Sequence, residues 1–384
     1  MHHGVDWSRL PAPLPGLRCV VVMPARDERL LLPGALRALA GQCLPGGAAP
    51  RTVFEVIVLA NNCSDDTAAS ARRVAATQPQ ATVHVVEASF PAAQANVGHA
   101  RRLLLDEAAR RLARADARDG VIASTDADTR VAPDWLAATL AAVDAGADAV
   151  GGRIGLLAGT APPAATLRVQ RLDDCYRLLR ATAESAVDPD PGDPWPRHHQ
   201  HFGASLAVRV DAYRAVGGQP CVPYLEDEAL VRALRRADRT VRHCPAVRVR
   251  TSGRFDGRAP VGLAWQLRDW DDRVREARQP EVADPVRELR AWGLRRALRE
   301  LWRSHASLDR AVLADRLCAL DLVAEREIPA LVAAKFFGSF WETFEQRQGF
   351  AGAGHAVPLD AALHTLRRFV AAQRRPLNSP AAVP

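Results

Sequence analysis

The chain has 384 residues and a mass of 41.6 kDa, with 48% hydrophobic and 25% charged residues. That mix excludes a disordered tail and a collagen-like fibre, and the length suits one large domain with an appendage, or two domains. The balance is basic, 51 Lys+Arg against 44 Asp+Glu for a net charge of +7, and Lys335 is the only lysine. The excess is therefore arginine, which GC-rich coding and selection for phosphate contacts would each produce.

Seven cysteines lie far apart without a Cys-x-x-Cys pair, which points to neither a zinc cluster nor a disulfide framework. The start Met1-His2-His3-Gly4 lacks the pattern of a signal peptide, and no apolar run approaches the ~20 residues that span a bilayer. The expectation is a cytoplasmic protein whose membrane contact, if any, is peripheral to the inner face.

Along the chain, Cys19-Val20-Val21-Val22-Met23 reads as a buried strand, followed by a helix near 29–41 and a break at Leu44-Pro45-Gly46-Gly47. A second strand, Phe54–Leu59, precedes a helix opening at Ser64-Asp65-Asp66, where the two acids are expected to cap it. Thr82–Val86 and Gly120–Ser124 are the third and fourth strands, with a helix near 93–114 between them. This alternation predicts a mostly parallel sheet covered by helices, with chemistry at the carboxyl ends of the strands. Beyond residue 160 come a helix near 164–185 and the Pro-rich loop Asp188–Pro196. A short segment at 202–208, two helices and a strand at 240–250 follow. From about 262 the pattern is helical almost to the end.

The strongest chemical signal is Ser124-Thr125-Asp126-Ala127-Asp128, two acids one residue apart at the end of an apolar strand. Hard divalent cations take carboxylate oxygens and substrate phosphates. Alone, however, an Asp-x-Asp is more often a turn that caps the next helix. It is accompanied by Pro24-Ala25-Arg26-Asp27-Glu28 after the first strand and by Asn61-Asn62-Cys63-Ser64-Asp65-Asp66 after the second. Phe202-Gly203-Ala204-Ser205 and Tyr224-Leu225-Glu226-Asp227-Glu228 come later in the chain.

With these motifs in this order, the sequence resembles the family 2 glycosyltransferases, inverting enzymes of the GT-A fold, over roughly residues 17–260. The resemblance implies an α/β three-layer sandwich with a mostly parallel central sheet and a C-terminal helical extension. It sets a leader at 1–16 and a glycosyltransferase domain at 17–261, with a nucleotide-binding half to about 155 and an acceptor half at about 156–261. A helical region at 262–373 and a flexible tail at 374–384 complete the division. Pro24, Ala25, Arg26, Glu28 and Asn61 would line the nucleoside pocket, Asn61 standing where the family commonly has Asp. Asp128, assisted by Asp126, would hold Mg²⁺ or Mn²⁺ and the donor diphosphate. Asp227 would be the catalytic base with Glu226 beside it, and Gly203, Ala204 and Ser205 would form the acceptor side.

Many relatives place a metal-binding His after the strand that ends near 250. Here Ser252-Gly253-Arg254-Phe255-Asp256-Gly257-Arg258 stands instead. Arg254 and Arg258 could compensate the leaving diphosphate, bind an anionic acceptor, or form a solvated loop. His198, His199 and His201 read as an acceptor-side lid before a metal site. The segment 286–303 is a basic amphipathic helix that either rests on anionic lipid or, more commonly, packs on its own domain with arginines outward. No nucleic-acid recognition motif is seen. The function implied is metal-dependent transfer of a sugar from a nucleotide-diphosphate donor to an unidentified acceptor. The alternatives are a nucleotide-sugar-binding protein without turnover and a sugar-nucleotide pyrophosphorylase, which would need a Gly-rich loop at the first strand.

Overall fold

Every residue of the first strand is buried, because the strand feeds two cores at once. In the computed structural model, which describes residues 5–44, 50–257, 259–350 and 355–373, Cys19, Val21 and Met23 pack into one hydrophobic cluster while Val20 and Val22 pack into another. The period-2 alternation of a strand thus becomes a continuous apolar run wherever helices cover both faces.

The described residues divide into two compact units, one of residues 1–164 and 200–269, the other of residues 165–199 and 270–384. The first contains β1 (Cys19–Ala25), α1 (Leu32–Ala40), α2 (Pro50–Val53), β2 (Phe54–Asn61), α3 (Thr67–Thr77), β3 (Thr82–Ala88) and α4 (Val97–Arg114). β4 (Val121–Ser124), β5 (Thr129–Val131), α5 (Trp135–Asp144) and β6 (Ala149–Leu156) follow. After the excursion into the second unit come β7 (Leu206–Arg209), α7 (Val210–Ala215), α8 (Glu226–Arg236) and β8 (Val241–Thr251).

The sheet order is β3-β2-β1-β4-β7-β6-β8-β5. Pairs β1–β2, β2–β3, β1–β4 and β6–β8 are parallel, while β4–β7, β6–β7 and β5–β8 are antiparallel. Leu36, Leu39, Trp135 and Leu136 of α1 and α5 cover one face; Leu104 and Ala108 of α4 with Leu230 and Leu234 of α8 cover the other. This is the α/β sandwich around a mostly parallel sheet that the sequence predicts.

β6 is a strand that the sequence reading passed over, because Gly151 and Gly152 weaken its pattern. The glycines answer to close approach. A Cβ on Gly151 would run into the Gln200 carbonyl, and one on Gly152 would run into the Ser205 hydroxyl. That contact holds the turn Gly203–Ser205 against the sheet.

The second unit holds α6 (Ala164–Val187), the end of α9 (Leu263–Arg275), a small antiparallel pair of β9 (Glu281–Ala283) and β10 (Ala356–Pro358), and α10 (Pro285–Ser304). α11 (Arg310–Cys318), α12 (Ala324–Ala333), α13 (Phe337–Arg347) and α14 (Leu359–Gln373) complete it. Leu298, Leu317, Leu331 and Phe344 form one of its cores, and Tyr176, Trp292, Leu363 and Leu366 the other. Residues 165–199, which the sequence reading assigned to the acceptor half, group here with the C-terminal helices, since Tyr176 and Ala183 of α6 share a core with α14. On α10, Arg295 and Arg299 turn onto the carboxylates of Glu184 and Asp188 instead of facing outward. Among the described residues no helix is long and apolar enough to cross a membrane. The tail from 374 lies outside the described residues.

Candidate active site

Four loop ends of the first unit converge. β1 closes with buried Pro24 and Ala25, and exposed Arg26 donates from Nη1 to the Ala95 carbonyl at 3.2 Å. Asp27 has a φ of 53° and accepts from the Ser64 N–H at 2.7 Å and its hydroxyl at 3.1 Å. Glu28 is buried; its N–H donates to Thr67 Oγ1 at 2.7 Å, and its carboxylate receives both terminal nitrogens of Arg254, Nη1 at 2.9 Å.

Asn61 ends β2, 4% exposed. Asn62 follows in the left-handed region at φ 51° and clasps Phe90, donating to its carbonyl at 2.9 Å and accepting from its N–H at 3.2 Å. Asn there suits the backbone. Of the acid pair expected to cap α3, Asp65 accepts from the Thr67 N–H at 2.9 Å, whereas Asp66, at the N-cap position, makes no side-chain capping bond. Asp27, Cys63 and Asp65 bring potential ligand atoms within 4.8 Å of one another. The two carboxylates already receive N–H groups of Ser64, Thr67 and Arg29, so the cluster is accounted for as turn structure.

At the end of β4, Asp126 Oδ1 accepts from Arg101 Nη2 at 2.8 Å and the side chain stays 35% exposed. Asp128 Oδ1 accepts from Thr251 Oγ1 at 3.3 Å, and Oδ2 lies 3.1 Å from Arg254 Nη2. Burial, and next the neighbouring Asp126 charge, push the Asp128 carboxyl up to about 6 in spite of Arg254. Ser252 is buried, and Arg258 lies outside the described residues.

On the other side, Leu225 takes a φ of 54° at the N-cap of α8, a strained geometry for a bulky residue. It puts Glu226 and Asp227 in the first turn, where the helix dipole favours negative charge. Glu226 Oε1 accepts from Arg101 Nε at 2.8 Å with both side chains 5% exposed. Asp227 Oδ2 accepts from the Gly203 N–H at 2.6 Å and Oδ1 from the Glu228 N–H at 2.8 Å. Burial first, and Glu226 second, raise its carboxyl above the usual range. Ala204 and Ser205 are buried; the Ala204 carbonyl accepts from Thr125 Oγ1 at 3.0 Å, and Ser205 Oγ accepts from Trp135 Nε1 at 3.0 Å. The Ser205 hydroxyl is thereby spent on the core.

The histidines do not form one cluster. His199 Nε2 stands 3.2 Å from Asp174 in the second unit. His201, in the first, sits between His243 Nε2 at 2.9 Å and Glu228 Oε1 at 3.0 Å.

Residues 20–159 match the family model described as glycosyl transferase family 2. Over that stretch, a little over a third of the chain, the sequence is similar to the family 2 glycosyltransferases. No curated protein matches its sequence. Among solved structures it is similar to the mannosyltransferase PcManGT from Pyrobaculum calidifontis in complex with GDP-Man and Mn²⁺, at 18% identity and a TM-score of 0.43, over 96% of this chain and 88% of that one. S. aureus TarS 1-349 follows at 15% identity and TM-score 0.41, over 87% and 92% of the two chains. Glucosyl-3-phosphoglycerate synthase from Mycobacterium tuberculosis, in complex with Mn²⁺, UDP-Glc and phosphoglyceric acid, shows 17% identity and TM-score 0.35, over 66% and 78%.

The sequence reading missed Arg101, which touches both the Asp-x-Asp and the Glu-Asp pair. A signal was present. Arg101 falls on the same helical stripe as Leu104, Ala108 and Arg111, all buried, and a charge on an apolar stripe demands buried partners.

Proposed function

We propose that this protein is a metal-dependent, inverting glycosyltransferase that moves a sugar from a nucleotide-diphosphate donor to an acceptor hydroxyl by direct displacement. The observation that carries the reading is that one guanidinium, Arg101, bonds both Asp126 and Glu226. The acids at the end of β4 and the Glu-Asp pair are thereby a single guanidinium's span apart, the scale on which donor and base must meet.

The donor set fits a hard divalent cation. Asp126 and Asp128 offer carboxylate oxygens, and the Asp128 carboxyl is raised first by burial and then by the Asp126 charge, a penalty on its ionised form that Mg²⁺ or Mn²⁺ would relieve. When bound, such an ion supplies charge compensation for the leaving diphosphate. Arg254, already between Glu28 and Asp128, would turn its remaining donors to the same oxygens. Pro24, Ala25, Arg26, Glu28 and Asn61 would receive the nucleoside.

Asp227 accepts the proton of the acceptor hydroxyl while the new C–O bond forms at the anomeric carbon and the bond to the diphosphate breaks from the opposite face. A carboxylate whose proton affinity is raised by burial suits a general base. Glu226, held by Arg101, helps aim that base, and its charge adds to the base's proton affinity.

The test is donor hydrolysis and sugar transfer by D227N and D128A, with folding checked by circular dichroism and donors selected by thermal shift with Mn²⁺. Loss of turnover in both supports the reading; wild-type rates in both overturn it. Metal-dependent nucleotide binding without turnover by the wild-type chain would favour a binding protein instead.

A further inference from the structure

Arg101 spends its nitrogens on three elements. Nε donates to Glu226 at the start of α8, Nη2 to Asp126 after β4, and Nη1 to the Gly203 carbonyl at 3.2 Å and to Ser124 Oγ. Its side chain is 5% exposed. Gly203 is shaped to it, since a Cβ there would stand 2.6 Å from the guanidinium carbon. The same Gly203 donates its N–H to Asp227. The guanidinium therefore reaches the base by two routes, through Glu226 next to it in the chain and through Gly203, whose carbonyl it holds and whose N–H meets the base.

We propose that Arg101 is a positioning residue for sugar transfer: its planar fork fixes the separation between the donor-side carboxylate Asp126 and the base Asp227, acting through Glu226 and Gly203. The inference rests on the roles given above to Asp126 and Asp227. A lysine keeps the charge but lacks the rigid fork, so it can satisfy one carboxylate while leaving the other unaligned. Misplacement of a reacting group by about 1 Å costs on the order of 100-fold in rate.

The experiment compares R101K, G203A, E226Q and the double variant R101K/E226Q with wild type. Hydrolysis of UDP-glucose, UDP-N-acetylglucosamine and GDP-mannose is measured with Mn²⁺, together with the melting temperature and the calorimetric affinity for UDP and GDP. The expected result is a kcat loss of about 100-fold in R101K at a donor KM and nucleoside diphosphate affinity within about threefold of wild type. G203A should show the same split, because its methyl group displaces the guanidinium. The double variant should be no worse than the poorer single one, since both changes break one link.

A kcat for R101K within threefold of wild type overturns the proposal. So does a raised KM at constant kcat, or a double variant in which the losses multiply. D227N separates the two levels. Hydrolysis that survives D227N removes the base assignment itself, whereas an inactive D227N beside a fully active R101K removes only the role of Arg101.

Discussion

Asp128 is an acid held where its charge is disfavoured. Its carboxyl titrates at about 6 instead of the ordinary 3.8, because burial and then Asp126 oppose ionisation more than Arg254 and Thr251 favour it. The folded state therefore keeps a proton that the unfolded state has released between those two values. Stability falls as pH rises through that window, and the ionised side chain remains a cost at neutral pH, on the order of 3 kcal/mol. D128N removes the cost while keeping the shape. The expected outcome is a metal-free variant that melts above wild type at pH 7.5, with the difference shrinking toward pH 5. It should also lose Mn²⁺-dependent nucleotide binding. A D128N that melts below wild type at pH 7.5 would show that Asp128 is held by its pairing instead, and that the site stores no strain for a cation to release.

At the scale of elements, α4 is the ruler of the site. Besides carrying Arg101, it grips the segment leading to Asp227. Gln219 Nε2 donates to the Gly98 carbonyl at 3.1 Å, and Arg102 donates to the carbonyls of Gln219 and Gly217. Gly98 lies so close to this segment that a Cβ would run into the Val222 carbonyl, which is backbone and cannot rotate away. G98A should therefore push the segment off the helix and cost about 1–3 kcal/mol, as overpacking does. A lower denaturant midpoint at unchanged slope would show this, along with reduced turnover; an unchanged midpoint would mean that the segment has slack. The grip of Gly98 on this segment was not legible in the sequence, whereas Arg101 left a trace there as a charge on the buried stripe of α4. The elements themselves were legible where local pattern decides them. β1, β2 and β4 are apolar runs, and their ends locate Asp126, Asp128, Glu28 and Asn61. What escaped depends on long-range contact: β6, whose glycines answer to residues 200–205; Ser205, whose hydroxyl answers to Trp135; and the grouping of α6, a helix the sequence did predict, with α14 in one core.

For the molecule as a whole, the arginine excess suggested anionic partners, yet much of it is spent inside. In the second unit, Arg180, Arg197, Arg295 and Arg299 meet Glu184, Asp188, Asp193 and Glu288 in ion pairs of 2.5–3.0 Å. Equal numbers of each sign cancel, so these arginines add nothing to the +7. Burial alone would raise the Glu184 carboxyl, but Arg295, Arg197 and Arg180 hold it well below its usual range. The stability from that depressed group is present above about pH 4.5 and is lost as pH falls further. Asp188 is the most exacting member. Its side chain is 0% exposed, and it accepts from Arg295 Nε at 2.5 Å and from both terminal nitrogens of Arg299 at 2.7 and 3.0 Å. Removing one partner of a buried pair leaves the other's charge uncompensated, at about 3–5 kcal/mol. D188A should thus be among the most destabilising single changes in the second unit, with faster amide exchange in α6 and α10 as the local readout. Exchange rates in those helices equal to wild type would mean that the arginines find other partners, and that the cluster tolerates a missing charge.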